Sequence, residues 1–306
     1  MDRRVGRIGT AILGVFVTIA VLCVSVPSRG QTLWRVKPAN DSIHTSYILG
    51  TMHIADASVL DTLGGFGQAL ENVSAVYAEI DAADLSAMPS LLALAKAPAD
   101  STLLRILSPE QRDTLVRHIA AAGLDGVAIL RGFDVFKPAM LDIYLEMQRA
   151  ARHGSPVQPM DIAIQRRAIA KGKEVRALES AAQQMSLLVG GPVAVQLGAL
   201  MGNVCEAEDA QALTDELVAA YRRQDLAALG RLLSGSMTVE YAERMVYGRN
   251  RAWVVTLAPV MLHESILVAV GAGHLVGQEG LLSLLRGQGF EVTPVCGSVP
   301  PPGQKR

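Results

Sequence analysis

Aromatic side chains make up only 4% of the 306 residues. That excludes the stacking platforms on which proteins hold bases or sugars. Cysteine occurs three times, too seldom for a disulfide framework. Charge is sparse as well: 19% of residues are charged, with 28 basic against 29 acidic side chains. Without a basic surplus the chain has no electrostatic footprint for nucleic acid, and that class of partner is excluded. No repeat recurs at a solenoid period. What the chain has in abundance is apolar residue, at 50%, enough for one large core or two modest ones.

The first thirty residues stand apart. "MDRRVGR" is basic, and Gly9 to Val26 carries no charge before "PSRGQT" breaks the pattern. The run is long for a cleaved leader and short for a comfortable span. Residues 1–30 therefore read as a signal peptide or an N-terminal anchor attached to the inner membrane through residues 9–26. Residues 31–297 are expected to be exported and periplasmic, or membrane-anchored facing the periplasm. Residues 298–306 read as a disordered tail. Residues 1–30 hold four arginines and one acid, so the remainder is mildly acidic. Cys205 and Cys296 could pair in an oxidising compartment or stay free.

"LWRVK" and "HTSYILG" flank a turn-rich connector and predict a β-hairpin. "SVLDTLGGFGQALENV" has helical spacing, and "AVYAEID" predicts a short strand ending in acids. Residues from about 85 to 160 read as helical. The sharpest start is Ser108, an N-cap followed by Pro109 and by Gln111 in a capping box, with Gly123 as the stop. "DIAIQRRAIAKGKEVRALES" reads as helix, glycine turn and strand. The helical pattern returns from Ala181 to about Leu262. The ending "ILVAVGAGH", "GLLSLLRGQG", "FEVTPV" is strand, helix and strand, which favours parallel pairing. The expected fold class is α/β: a mixed, mostly parallel central sheet from the N- and C-terminal segments, with a large helical middle layer.

Chemistry gathers where these strands end. "YILGTMHIAD" (Tyr47–Asp56) and "ILVAVGAGHLVG" (Ile266–Gly277) share one build: apolar strand, glycine, two residues, histidine. In an open α/β sheet, sites form beyond the carboxyl ends of the strands. His53, His274 and an acid from Glu79 or Asp81 would converge there if the strands lie side by side. Gly50, Gly271 and Gly273 would let the backbone turn tightly. Two histidines and a carboxylate form a ligand set for a divalent metal with room left for water, and such an ion activates water for hydrolysis. The same residues would also serve without a metal, with a histidine as general base and Glu79 as its partner. A non-catalytic pocket of the same fold is the third reading. His44, His118, His153 and His263 read as exposed or capping residues. Asp161 and Glu179 flank a helix–strand unit, where cap or surface roles are expected, although Glu179 could orient a neighbour.

The pairing of "GTMH" with "GAGHLVGQEGLLSLLRGQGFEVTPV" resembles the TraB/GumN family, which includes the TIKI metalloproteases. The likeness runs from about Leu33 to Val295. It is most specific in the pattern GxxHLxGxxGLLxLLxxxGF, and "YAEID" and "RNRAW" also fit. The resemblance implies a fold shared with erythromycin-esterase-like and ChaN-like proteins and a metal-dependent, protease-like hydrolase acting on peptide or protein. Carried over, the metal ligands would be His53, His274 and Glu79, with Mn, Co or Zn as the ion, and the catalytic set would be Glu79, Arg249 and Asn250. Arg249 would fix an acid of the site or hold an oxyanion. Trp253 is expected in the core. Gly248 departs from the family, where many members carry Glu.

Overall fold

The structure, a computed structural model, describes residues 31–40, 44–53, 55–83, 88–151 and 159–295. Its centre is a six-stranded sheet: β1 (Leu33–Pro38), β2 (Ser46–Thr51), β3 (Ala75–Ala78), β4 (Glu174–Ala177), β5 (Ile266–Gly271) and β6 (Phe290–Pro294). The spatial order is β4-β3-β5-β2-β1-β6. Strands β4, β3, β5 and β2 pair in parallel. β1 is antiparallel to β2 and to β6, so the sheet is mixed but mostly parallel. The sheet strands come from both halves of the sequence, as the apolar runs predict.

The innermost strands explain themselves. β2 is buried at every residue and β5 at five of six. An unbroken apolar run such as Ile266–Val270 suits a parallel strand covered on both faces. β4 instead carries Glu174 and Arg176 on a part-exposed strand, as an edge strand should. The pairing expected for the last strand is corrected: β6 runs in the same direction as β5 but pairs with β1, two strands farther out.

The helices follow their local signals. Ser108 closes a capping box with Gln111 on the Pro109–Ala121 helix, and Gly123 follows its end at φ 80°. The stretch "SVLDTLGGFGQALENV" is two short helices, Val59–Thr62 and Phe66–Glu71. The break falls at Gly65, whose φ of 87° belongs to the left-handed region that only glycine enters cheaply. The middle helices carry an apolar cluster of their own, including Leu115, Ile119, Leu141 and Leu200. The larger core lies against the sheet and includes Trp253, as expected. Among the described residues no single helix is long and apolar enough to cross a membrane. Cys205 is exposed; Cys296, His153 and the leader lie outside the described residues.

Candidate active site

The parallel pairing sets four strand ends on one edge. Thr51 is in register with Gly271, Ala78 with Ala269, and Ala78 with Ala177. The residues just beyond are His53, His274, Glu79 and Glu179. Gly50 is needed for space: a Cβ there would lie 3.0 Å from the Ala272 backbone in the turn that carries His274. Gly50, Gly271 and Gly273 all avoid positive φ. Their contribution is room rather than the tight turn that the sequence suggests.

A buried ion cluster fills the edge. Arg249 Nη2 donates to Glu79 Oε2 at 2.6 Å and to Glu179 Oε1 at 2.5 Å. Its Nε donates to Glu179 Oε2 at 3.1 Å. Its Nη1 donates to the Met245 carbonyl at 2.9 Å and lies 3.0 Å from His274 Nε2. A guanidinium has five N–H donors, and these contacts use all of them. None remains for an oxyanion, so Arg249 is a positioning residue that fixes acids. The π-helical turn Glu243–Tyr247 stands just before it. Such turns free carbonyls and often mark functional sites; here Met245 presents one to Arg249. The Arg249 guanidinium also lies 4.6 Å over the Trp253 ring.

Asn250, fully buried, donates from Nδ2 to the carbonyls of His274 and Glu279. Its Oδ1 therefore accepts from His274 Nδ1 at 2.7 Å. That leaves Nε2 as the lone-pair nitrogen facing Arg249. Burial, outweighing the pull of Glu79, holds the His274 pKa down to about 4, so the ring is neutral near pH 7. Burial works against an ionised Glu79, but His274, Arg249, His53 and the Gly271 N–H outweigh it and hold its pKa at about 2. Gly271 N–H donates to Glu79 Oε1 at 2.8 Å, and Gln184 donates to Oε2 at 2.9 Å.

His53 stands apart from this cluster. Its Nδ1 is 2.6 Å from Asp161 Oδ2, and its side chain is 68% exposed. The hydrogen bond to Asp161 raises its pKa to about 9. His53, Asp161 and Glu79 open on one cavity of about 320 Å³. Asp81 turns away: its carboxylate accepts from Ala83 N–H, because β3 ends at Ala78 and the strand alternation that would align it with Glu79 stops there. Asp161 and Glu179, expected in cap or surface roles, are instead the hydrogen-bond partners of His53 and Arg249. The signal for Glu179 was its place just after a strand; Asp161 had none beyond its helix start.

The sequence profile of the TraB/PrgY/gumN family matches residues 32–294. The chain belongs to that family. Among curated proteins, the relatives it matches include Metalloprotease TIKI2 of Danio rerio, 22% identical over 88% of this chain. Metalloprotease TIKI1 of the same species is 22% identical over 85% of it. The chain spans 62% of the length of each. No solved structure matches it significantly.

The names of these relatives raise the question of a metal. As arranged, the predicted ligands do not fit one. His274 Nε2 and Glu79 Oε1 are 3.8 Å apart, but the Arg249 cation lies against both residues. His53 is engaged by Asp161 instead. Among the described residues no three His, Cys, Asp or Glu groups stand close enough to hold an ion.

Proposed function

We propose that this TraB-family chain is an exported hydrolase of amide or ester bonds, a peptidase in the first instance, working at the carboxyl edge of its sheet. One observation carries the reading: the His53–Asp161 pair and the ionised Glu79 open on the same cavity. Asp161 holds His53 by Nδ1, which leaves Nε2 to take a proton from water and return it to the leaving group. Glu79, fixed by Arg249, Gly271 and Gln184, keeps one oxygen, Oε1, with a single hydrogen bond, and that oxygen orients the attacking water. Arg249 and Asn250 build the floor behind it. The distant relatives called metalloproteases support the choice of an amide bond. The apolar run Gly9–Val26 supports export.

The test is hydrolysis of a peptide library and an ester panel by the purified chain. His53→Ala is expected to lower kcat/KM by about 10²- to 10⁴-fold, the usual worth of a general base. The same assay after chelation, and after reloading with Mn, Co or Zn, decides the metal requirement. Absence of turnover on either panel, with or without added ions, would overturn the reading.

A further inference from the structure

The cavity in front of His53 has a lining that proton transfer alone does not require. Ala78 and Ala269 face each other in register across β3 and β5 and form its floor. Larger apolar residues fill most of the neighbouring strand positions, so these two alanines open the space. Ile80, Ile162, Ala150 and Met147 wall it.

Apart from His53 and Glu79 at its catalytic end, the polar groups that reach the cavity are engaged elsewhere. Gln165 donates to the Ile80 carbonyl and accepts from Ala82 N–H. The Gln184 amide donates to Glu79 and Glu179. Asp161 is held by His53. A charged or strongly polar occupant would give up its hydration and find few partners, whereas an apolar one removes hydrocarbon surface from water. About 320 Å³ lies at the low end of the roughly 300–1,000 Å³ range of small-molecule sites, a size for one large side chain rather than an extended segment.

We infer that this cavity is a specificity subsite for an uncharged apolar side chain, of the size of Leu, Met or Phe, adjacent to the bond presented to His53. The inference rests on the hydrolytic reading of the site. Met147, 63% exposed, lies at the mouth, where a flexible thioether can adapt to different occupants.

The experiment varies one residue at a time in blocked peptides and compares kcat/KM. A preference of at least about tenfold for Leu, Met or Phe over Ala is expected at one position, since each methylene in an apolar pocket is worth about 1–3 kcal/mol. Rejection of Asp and Lys should be stronger still. Ala150→Phe fills the cavity and should abolish the preference. Met147→Asp, on an exposed side chain, should weaken it without unfolding the protein. Equal rates across all residues, or a preference that survives both variants, would overturn the subsite. Binding of N-acetyl-L-leucinamide and N-acetyl-L-aspartamide, read by saturation-transfer NMR, separates the two ideas. Leucinamide binding that Ala150→Phe removes, with no peptide cleaved, would overturn the hydrolase and keep the subsite. No leucinamide binding at millimolar concentration would overturn the subsite itself.

Discussion

Arg249 Nη1 lies 3.0 Å from His274 Nε2, so a fixed cation rests on the lone pair of a neutral imidazole. The same guanidinium pairs with two buried carboxylates, Glu79 and Glu179. Removing one member of such a cluster leaves uncompensated charge. Arg249→Met is expected to cost about 3–5 kcal/mol in denaturant unfolding. The triple variant Arg249→Met, Glu79→Gln, Glu179→Gln should recover much of that loss. If the single variant unfolds at the wild-type midpoint, the cluster does not stabilise the fold.

Acid should weaken the fold in two stages. Unfolded, His274 titrates near 6.5; folded, near 4. As pH falls through this window the unfolded chain gains a proton that the folded chain refuses, and stability drops. Glu79, lowered from 4.5 to about 2, extends the loss below it: its contribution is present above pH 4.5 and vanishes as pH falls through 2. His274→Gln should flatten the profile between pH 6.5 and 4 and leave the lower part in place. Unfolding midpoints measured across that range test the assignment.

His53 predicts the opposite limb in catalysis. With a pKa near 9, it is protonated at neutral pH, and a reaction using its neutral form should accelerate up to about pH 9. Asp161→Asn removes the raising partner. The limb in kcat/KM should move down toward the ordinary imidazole value near 6.5, while the plateau falls because the ring loses its orienter. An unshifted limb would remove His53 from the base role.

Thr51 is 2% exposed, and among the described residues its Oγ1 has no hydrogen-bond partner. An unsatisfied buried hydroxyl costs about 1–3 kcal/mol. Thr51→Val should therefore raise Tm by roughly 2–4 °C, and Thr51→Ser should not. A fall in the valine variant would show that the hydroxyl serves a group the fold needs, such as a bound water.

Chelation should leave the fold alone. Glu79 and Glu179 are already ion-paired within the chain to Arg249, so dialysis against EDTA is expected to hold Tm within about 1 °C. A drop of several degrees would reveal an ion that stabilises the native state.

The positions of His53, Glu79 and His274 were legible because each follows an apolar run at a strand end, and parallel pairing puts such ends together. The partners of these residues were not. Asp161 is 108 residues from His53, and Glu179 is 70 from Arg249. Local pattern gives no sign that β4 lies beside β3 or that the helix starting at Met160 faces the first histidine. The two-stranded jump from β5 to β6 was hidden for the same reason, since periodicity reports a strand but not its neighbour. The ring tautomer of His274 likewise depends on Asn250, a contact that only the turn after β5 creates.

The order of the strands also bears on assembly. β5, at Ile266–Gly271, lies between β2 and β3, so the middle of the sheet is synthesised more than 180 residues after its flanks. Until it arrives, β2 and β3 have no common partner, and neither His274 nor the Gly271 amide exists to meet Glu79. A nascent chain thus lacks the centre of its sheet until the segment from Ile266 onward has been made, and the edge where Glu79, Arg249 and His274 meet is completed by that late segment alone.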